Sequence, residues 1–210
     1  MKQLRPDLWQ TSCYQSGMLS SHAYYLQTEQ GNLLIYNTAD PSELEQITAL
    51  GGIDAQLVTH RDEATPSLAR IQQQFQSRLF CSEKELVSVA KYARAEVVTE
   101  ADSGDFYGIQ ILATPGHTDG SLCFYYESPF GDHYLFTGDT IFLWNGQWST
   151  LVVSSAGGSA EDLKTSLKQL RDLRPQLVMS SGFVGDQGLA EMKSDDWPAV
   201  VDAAIEQLER

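Results

Sequence analysis

"TPGHTDGS", residues 114–121, decides how the rest of this chain is to be understood. Pro115-Gly116 makes a turn that presents His117, and Gly120 lets the backbone reverse into the apolar run that follows. The flanks, "YGIQILAT" (107–114) and "SLCFYYES" (121–128), both have strand character, so His117 sits just past a strand end. Two other segments do the same. "IDAQLVTH" (53–60) is expected to be a buried strand that delivers His60, and "HYLFTGD" (133–139) a strand after which Gly138 frees Asp139 to point back across a sheet edge. Alone, each signal is weak, because a single His at a strand end is more often a hydrogen-bonded structural residue than a ligand. Three in this order, each closing a strand, are a stronger pattern.

Outward from these segments the elements alternate. "HAYYLQTEQGNLLIYNT" (22–38) predicts a hairpin around Glu29-Gln30-Gly31-Asn32. Asp40-Pro41-Ser42 opens a short helix carrying Leu44, Ile47 and Leu50, closed by Gly51-Gly52. Thr65 is the expected N-cap of the next helix with Pro66 at its first position, and Ser82 that of the helix after "RLFC". "AEVVTE" (95–100) predicts another strand. In the last third Ser159 caps a helix with Leu163, Leu167, Leu170 and Leu173 in register, "QLVMSS" (176–181) makes a strand, and Ser194 caps a C-terminal helix with Pro198 in its first turn. Strands, helices, strands and helices in succession point to packed sheets covered by helices. A single domain over residues 1–210 is expected, since 210 residues at 42% hydrophobic can bury a full core.

A formal charge of −14, from 28 acidic and 14 basic residues, gives no basic footprint for nucleic acid or an anionic membrane. The three cysteines, Cys13, Cys81 and Cys123, form no C-x-x-C pair and are expected as reduced thiols in a cytoplasmic protein. Neither a signal peptide nor an apolar run of membrane-span length is visible. A small-molecule substrate or ligand is the partner expected, with the oligomeric state open and a homodimer through the tryptophan-bearing segment 142–148 conceivable.

The P-G-H-T-x-G-S at 115–121 and the F-T-G-D at 136–139, preceded by Thr59-His60, resemble the motifs of the metallo-β-lactamase superfamily. The resemblance covers most of the chain and implies a four-layer αββα sandwich with a metal site where the two sheets meet at one edge. Family members carry T-H-x-H-x-D-H where this chain has Thr59-His60-Arg61-Asp62-Glu63-Ala64-Thr65, and a final His where it has Phe183 in "SSGFVGD" (180–186). By that resemblance the non-bridging ligands of a second ion are lost at Ala64, Thr65 and Phe183, whose ring is expected to fill the vacated space. His60, His117 and Asp139 remain as ligands of one ion, with Asp62 as a fourth ligand or a general base.

Four readings stay open. The first is a mononuclear hydrolase with one zinc or iron ion. The second is a relic that holds no metal. The third is a non-haem iron dioxygenase acting on a thiol or persulfide, because two His and one carboxylate form that ligand set. The fourth is a small-ligand-binding protein. The substrate-contact candidates are Trp144, His22 and Arg61; packing competes for Trp144 and Trp148, turn capping for His22, and an ion pair with Asp62 or Glu63 for Arg61. The hydrolase with one ion ranks first.

Overall fold

A computed structural model describes every residue except 39, 104, 105, 194, 195 and 210. Its larger sheet has seven strands, in spatial order Lys2–Arg5, Leu8–Gln10, Tyr24–Thr28, Gly31–Ile35, Ala55–Leu57, Arg78–Cys81 and Glu96–Val97. The expected hairpin is present, with Tyr24 opposite Ile35 and Thr28 opposite Gly31. From Gly31–Ile35 onward the pairing turns parallel. The crossovers run through the helices Pro41–Ala49, Ser67–Phe75 and Leu86–Val89, so each strand's C-terminal end lies on the same side. His60 emerges from that side.

The second sheet orders Ile109–Ala113, Leu122–Glu127, His133–Gly138, Leu177–Ser180 and Leu189–Glu191. All its pairs are antiparallel except the third, His133–Gly138 with Leu177–Ser180, whose crossover contains the helix Ala160–Arg171. Successive side chains of a strand leave on opposite faces, and here both faces are covered. Ile109, Ile111, Phe124, Tyr126, Tyr134, Phe136, Leu177 and Met179 face the first sheet. Cys123, Tyr125, Leu135 and Val178 face Leu163, Leu167 and Leu170 of Ala160–Arg171 and Trp197, Val201 and Ala204 of the helix Asp196–Gln207. Val58, Leu79 and Cys81 pack against Leu68 and Val89 on the outer side of the larger sheet. Helix, sheet, sheet and helix are thus the four layers anticipated. Each fully buried Leu of Ala160–Arg171 contributes roughly 1.5–3 kcal/mol of transfer free energy.

Capping follows expectation at Asp40, which accepts from the Ser42 amide at 2.8 Å, and at Ser159, which accepts from Asp162 at 3.3 Å. Pro198 lies in the first turn of Asp196–Gln207, while the expected Ser194 cap lies outside the described residues. Two caps are corrected. The helix after His60 begins at Ser67, and the Thr65 hydroxyl accepts from Asn37 at 2.9 Å instead of capping it. Ser82 stands at the N-cap of the turn Glu83–Glu85 but makes no side-chain capping bond; its hydroxyl donates to the Gly120 carbonyl at 2.6 Å, because the turn it opens is packed against the loop that carries His117. Two small ribbons were not anticipated. Phe142–Trp144 pairs with Gln147–Ser149 across Asn145-Gly146, both at positive φ (50° and 76°), the backbone an Asn-Gly hairpin turn requires. Tyr14–Ser16 and Leu19–Ser21 form a hairpin whose second strand pairs with Gly182–Phe183.

Candidate metal centre

His60 and His117 meet with their rings nearly perpendicular and the centroids 4.8 Å apart, both side chains being buried. Each ring has one nitrogen committed. Nδ1 of His117 is 2.8 Å from the Leu151 carbonyl, which can only accept, so Nδ1 carries the proton and Nε2 presents a lone pair. Nδ1 of His60 is 3.0 Å from the Thr59 hydroxyl, whose single proton goes to Glu63 Oε1 at 2.5 Å. The Thr59 oxygen therefore accepts from Nδ1, with Glu63 Oε1 itself 3.3 Å from the same nitrogen. The carboxylate–hydroxyl–imidazole chain fixes the tautomer, leaving Nε2 of His60 as the free position.

Among the described residues neither Nε2 has a hydrogen-bond partner, although both are buried. An orphaned buried polar atom costs about 1–3 kcal/mol unless something satisfies it. Two carboxylates stand close by. Asp139 Oδ2 is 3.4 Å from Nε2 of His60 and 3.9 Å from Nε2 of His117, and Asp62 Oδ2 is 3.9 Å from the latter. Ligand atoms of His60, Asp62 and His117 all lie within 4.8 Å of one another. Two oriented imidazole lone pairs beside carboxylate oxygens form a donor set that fits one divalent cation of the zinc or iron type.

Charge is balanced in the same sense. Burial disfavours the imidazolium of His60, but Asp139 and Glu63 outweigh it and hold its pKa well above the usual value. Burial, then the charge on His60, depress that of His117. Burial works to raise that of Asp139, yet His60 and His117 bring it down to about 2. The site is built to hold positive charge at Nε2 of His60, as a proton or as a cation that replaces it.

Precise backbone packing positions these groups. Gly138 has φ 53°, and a Cβ there would collide with the Thr59 hydroxyl, so only glycine lets the Asp139 turn lie against the His60 strand. The Gly138 amide donates to the Tyr36 hydroxyl at 2.9 Å, which donates onward to the Met179 carbonyl at 2.7 Å. The Gly182 amide donates to Asp139 Oδ1 at 2.8 Å and leaves Oδ2 for the histidines. Glu85, fully buried, ties the two histidine loops together: Arg61 donates to it at 2.6 and 3.2 Å and the Thr118 hydroxyl at 2.6 Å, while Arg61 also pairs with Asp119.

Of the residues singled out from sequence, the structure brings His60, Asp62, His117 and Asp139 together and sets the others apart. Arg61 pairs with Glu85 and Asp119 rather than with Asp62 or Glu63. Nδ1 of His22 is 2.8 Å from the Thr11 carbonyl, and its ring stacks on Phe183 at 5.2 Å. Trp144 is 42% exposed on its ribbon, away from the cavity over the histidines, and Trp148 packs edge-on against Trp197. Phe183 is not among the residues that line the cavity beside the centre. That ring is turned away to His22, with Gly188 leaving it room, and a cavity of about 550 Å³ opens beside His60, Asp62 and Asp139. Sequence reasoning missed Glu63, the Leu151 carbonyl and the Gly182 amide. Only Glu63 left a signal, as a carboxylate in the turn directly after His60.

Residues 48–182 match the family model described as the metallo-beta-lactamase superfamily. A probable polyketide biosynthesis zinc-dependent hydrolase from Bacillus velezensis is 29% identical over 172 residues, 77% of this chain and 71% of that protein. A probable metallo-hydrolase from Methanocaldococcus jannaschii is 49% identical over 87 residues, 39% of this chain and 37% of that protein. Among solved structures, the mono-zinc form of the metallo-beta-lactamase FIM-1 from Pseudomonas aeruginosa superposes with a TM-score of 0.73 at 15% identity, covering 99% of this chain and 93% of its own, a likeness of fold.

Proposed function

The chain belongs to the metallo-beta-lactamase superfamily, and from that premise we propose that it is a hydrolase of a small molecule, working with a single metal ion held by His60, His117 and Asp139. One observation carries the proposal: two buried imidazoles, each with Nδ1 committed, turn partnerless Nε2 atoms toward the same carboxylates. The zinc-dependence of the Bacillus velezensis relative favours zinc as that ion. A bound zinc supplies Lewis acidity and makes water reactive near neutral pH.

The chain's own groups supply the rest. Glu63 through Thr59, and the Leu151 carbonyl, keep the Nδ1 of each imidazole as the donor, so that Nε2 is the position a metal would take. The Gly182 amide fixes Asp139 so that one oxygen faces both rings. Asp62 is exposed at the mouth of the site, either as a fourth ligand or free to take a proton from an incoming water as a general base. Second-ion donors are missing, since the Thr65 hydroxyl is engaged by Asn37 and Phe183 is turned to His22. Charge balance at a leaving group then falls on one ion and on substrate contacts.

The test is hydrolysis of a panel of thioesters, esters and lactams by chelator-stripped, zinc-reconstituted protein. Asp62→Asn is expected to lower kcat by about 10²–10⁴-fold if Asp62 is the base. Turnover that survives both the chelator and His117→Ala would refute the proposal.

A further inference from the structure

The cavity over the metal centre is lined by residues of two chemical kinds. His60, Asp62 and Asp139 belong to the metal centre, while Asn37, Thr65 and, from the helix Ser67–Phe75, Arg70 lie outside it. Arg70 is the only Lys or Arg among the described residues that line this space. It forms no salt bridge and no side-chain hydrogen bond among the described residues.

Four other arginines pair with carboxylates, Arg5 with Asp132 and Glu191, Arg61 with Glu85 and Asp119, Arg78 with Glu96, and Arg171 with Asp202, while Arg94 and Arg174 form no salt bridge among the described residues. Unlike those two, Arg70 lines the cavity beside the metal centre. Two of the three carboxylates lining the cavity are held by hydrogen bonds. Glu63 accepts from Thr59, Asp139 accepts from Gly182 beside the imidazoles, and Asp62 lies with the two histidines. Arg70 is exposed and its guanidinium is open to an anion entering the cavity.

The geometry points to Arg70 as the residue that selects the substrate: it binds a carboxylate or phosphate group on a small molecule whose scissile bond reaches the His60–His117–Asp139 centre. This deepens the hydrolase proposed above and rests on it for the reaction, though not for the binding. A guanidinium offers such a group two parallel N–H donors, and hydrogen bonds to charged partners are the stronger kind. The preference has to be local, because the net charge of −14 opposes anions at long range.

Binding of three thiol probes to the intact protein tests this: 4-mercaptobutanoate, its methyl ester, and 3-mercaptopropyl phosphate, followed by calorimetry, with metal content measured on the same samples. An anionic probe is expected to bind at least about tenfold tighter than the ester. Arg70→Gln is expected to remove that advantage and Arg70→Lys to restore part of it, with the ester's affinity and the metal content unchanged in both. Whichever anion binds tighter identifies the head group. A wild-type protein that does not prefer the anions, or an anion preference that persists in Arg70→Gln because the carboxylate simply chelates the metal, overturns the inference. Metal content reports separately on the hydrolase: a metal-free protein that still prefers the anions through Arg70 would sink that reading and leave this one standing.

Discussion

Replacing Glu63 by Gln tests the wiring of the site with one atom's change. Glu63 accepts from the Thr59 amide at 2.9 Å and from the Thr59 hydroxyl at 2.5 Å, and it is buried. A Gln side chain has one oxygen and one NH₂ group, so it can accept from only one of the two Thr59 donors without relocating the other. Exchanging a charged acceptor for a neutral one costs about 1 kcal/mol per bond, and a buried donor left unmatched about 1–3 kcal/mol, giving a loss of roughly 2–4 kcal/mol. In a protein of this size that lowers Tm by roughly 5–15 °C. The consequence for the metal is separate. If the NH₂ group faces Thr59, the hydroxyl is released to donate to Nδ1 of His60, which moves the imidazole proton to Nε2 and blocks the ligand position. Outer-shell changes of this kind typically cost about 10–100-fold in metal affinity. Competition against a chromophoric chelator gives the zinc affinity, and circular-dichroism melting of the metal-free protein gives the stability. A folded Glu63→Gln protein that melts early yet binds zinc as tightly as wild type would refute the tautomer argument.

Other changes separate packing from chemistry. Gly138→Ala combines a positive φ with a collision against Thr59, for a loss of about 2–4 kcal/mol seen in urea unfolding; an unchanged midpoint would mean that the Asp139 turn is not held as described. Arg61→Met strands the fully buried Glu85 without its charge partner, costing about 3–5 kcal/mol, and the double variant with Glu85→Gln should recover much of it in the same assay. The metal-free protein should lose stability as pH rises. Above about pH 6.5 the unfolded chain's histidines are neutral while folded His60, its pKa raised, still holds its proton, so the folded state binds more protons and each increment of pH favours unfolding until that pKa is passed. His117, whose pKa is depressed, is neutral in both states there and adds nothing to the slope. Melting scans from pH 6.5 upward should show the decline in wild type and not in His60→Gln.

The parts of this molecule that could be seen in sequence are those carried by short, contiguous signals. Leu163, Leu167 and Leu170 repeat at helical spacing, and the strands after His117 and before Asp139 are nearly continuous apolar runs, since both faces of that sheet are covered there. His60, His117 and Asp139 each end such a strand. The hairpin of Tyr14–Ser16 and Leu19–Ser21 escaped notice because five of its six strand residues are not buried and show no alternation; its second strand is held by backbone pairing to Gly182–Phe183, distant in sequence. The outer support of the ligands was hidden for the same reason. Leu151 serves His117 through a carbonyl, and Gly182 serves Asp139 through an amide, and backbone groups leave no mark in residue identity. Phe183 was misplaced because its identity pointed to the ligand position it replaces, whereas Gly188 gives it a berth on His22.

The central claim is that this centre holds one metal ion, and counting metal tests it most directly. Untagged protein purified without chelator is analysed by inductively coupled plasma mass spectrometry beside Asp139→Ala, whose chain lacks the carboxylate that faces both histidines. About one zinc or iron per wild-type chain, with little or none in the variant, is the result predicted. Two ions per chain would contradict the mononuclear reading, and metal that is sub-stoichiometric and indifferent to the substitution would mean that His60 and His117 no longer form a metal site.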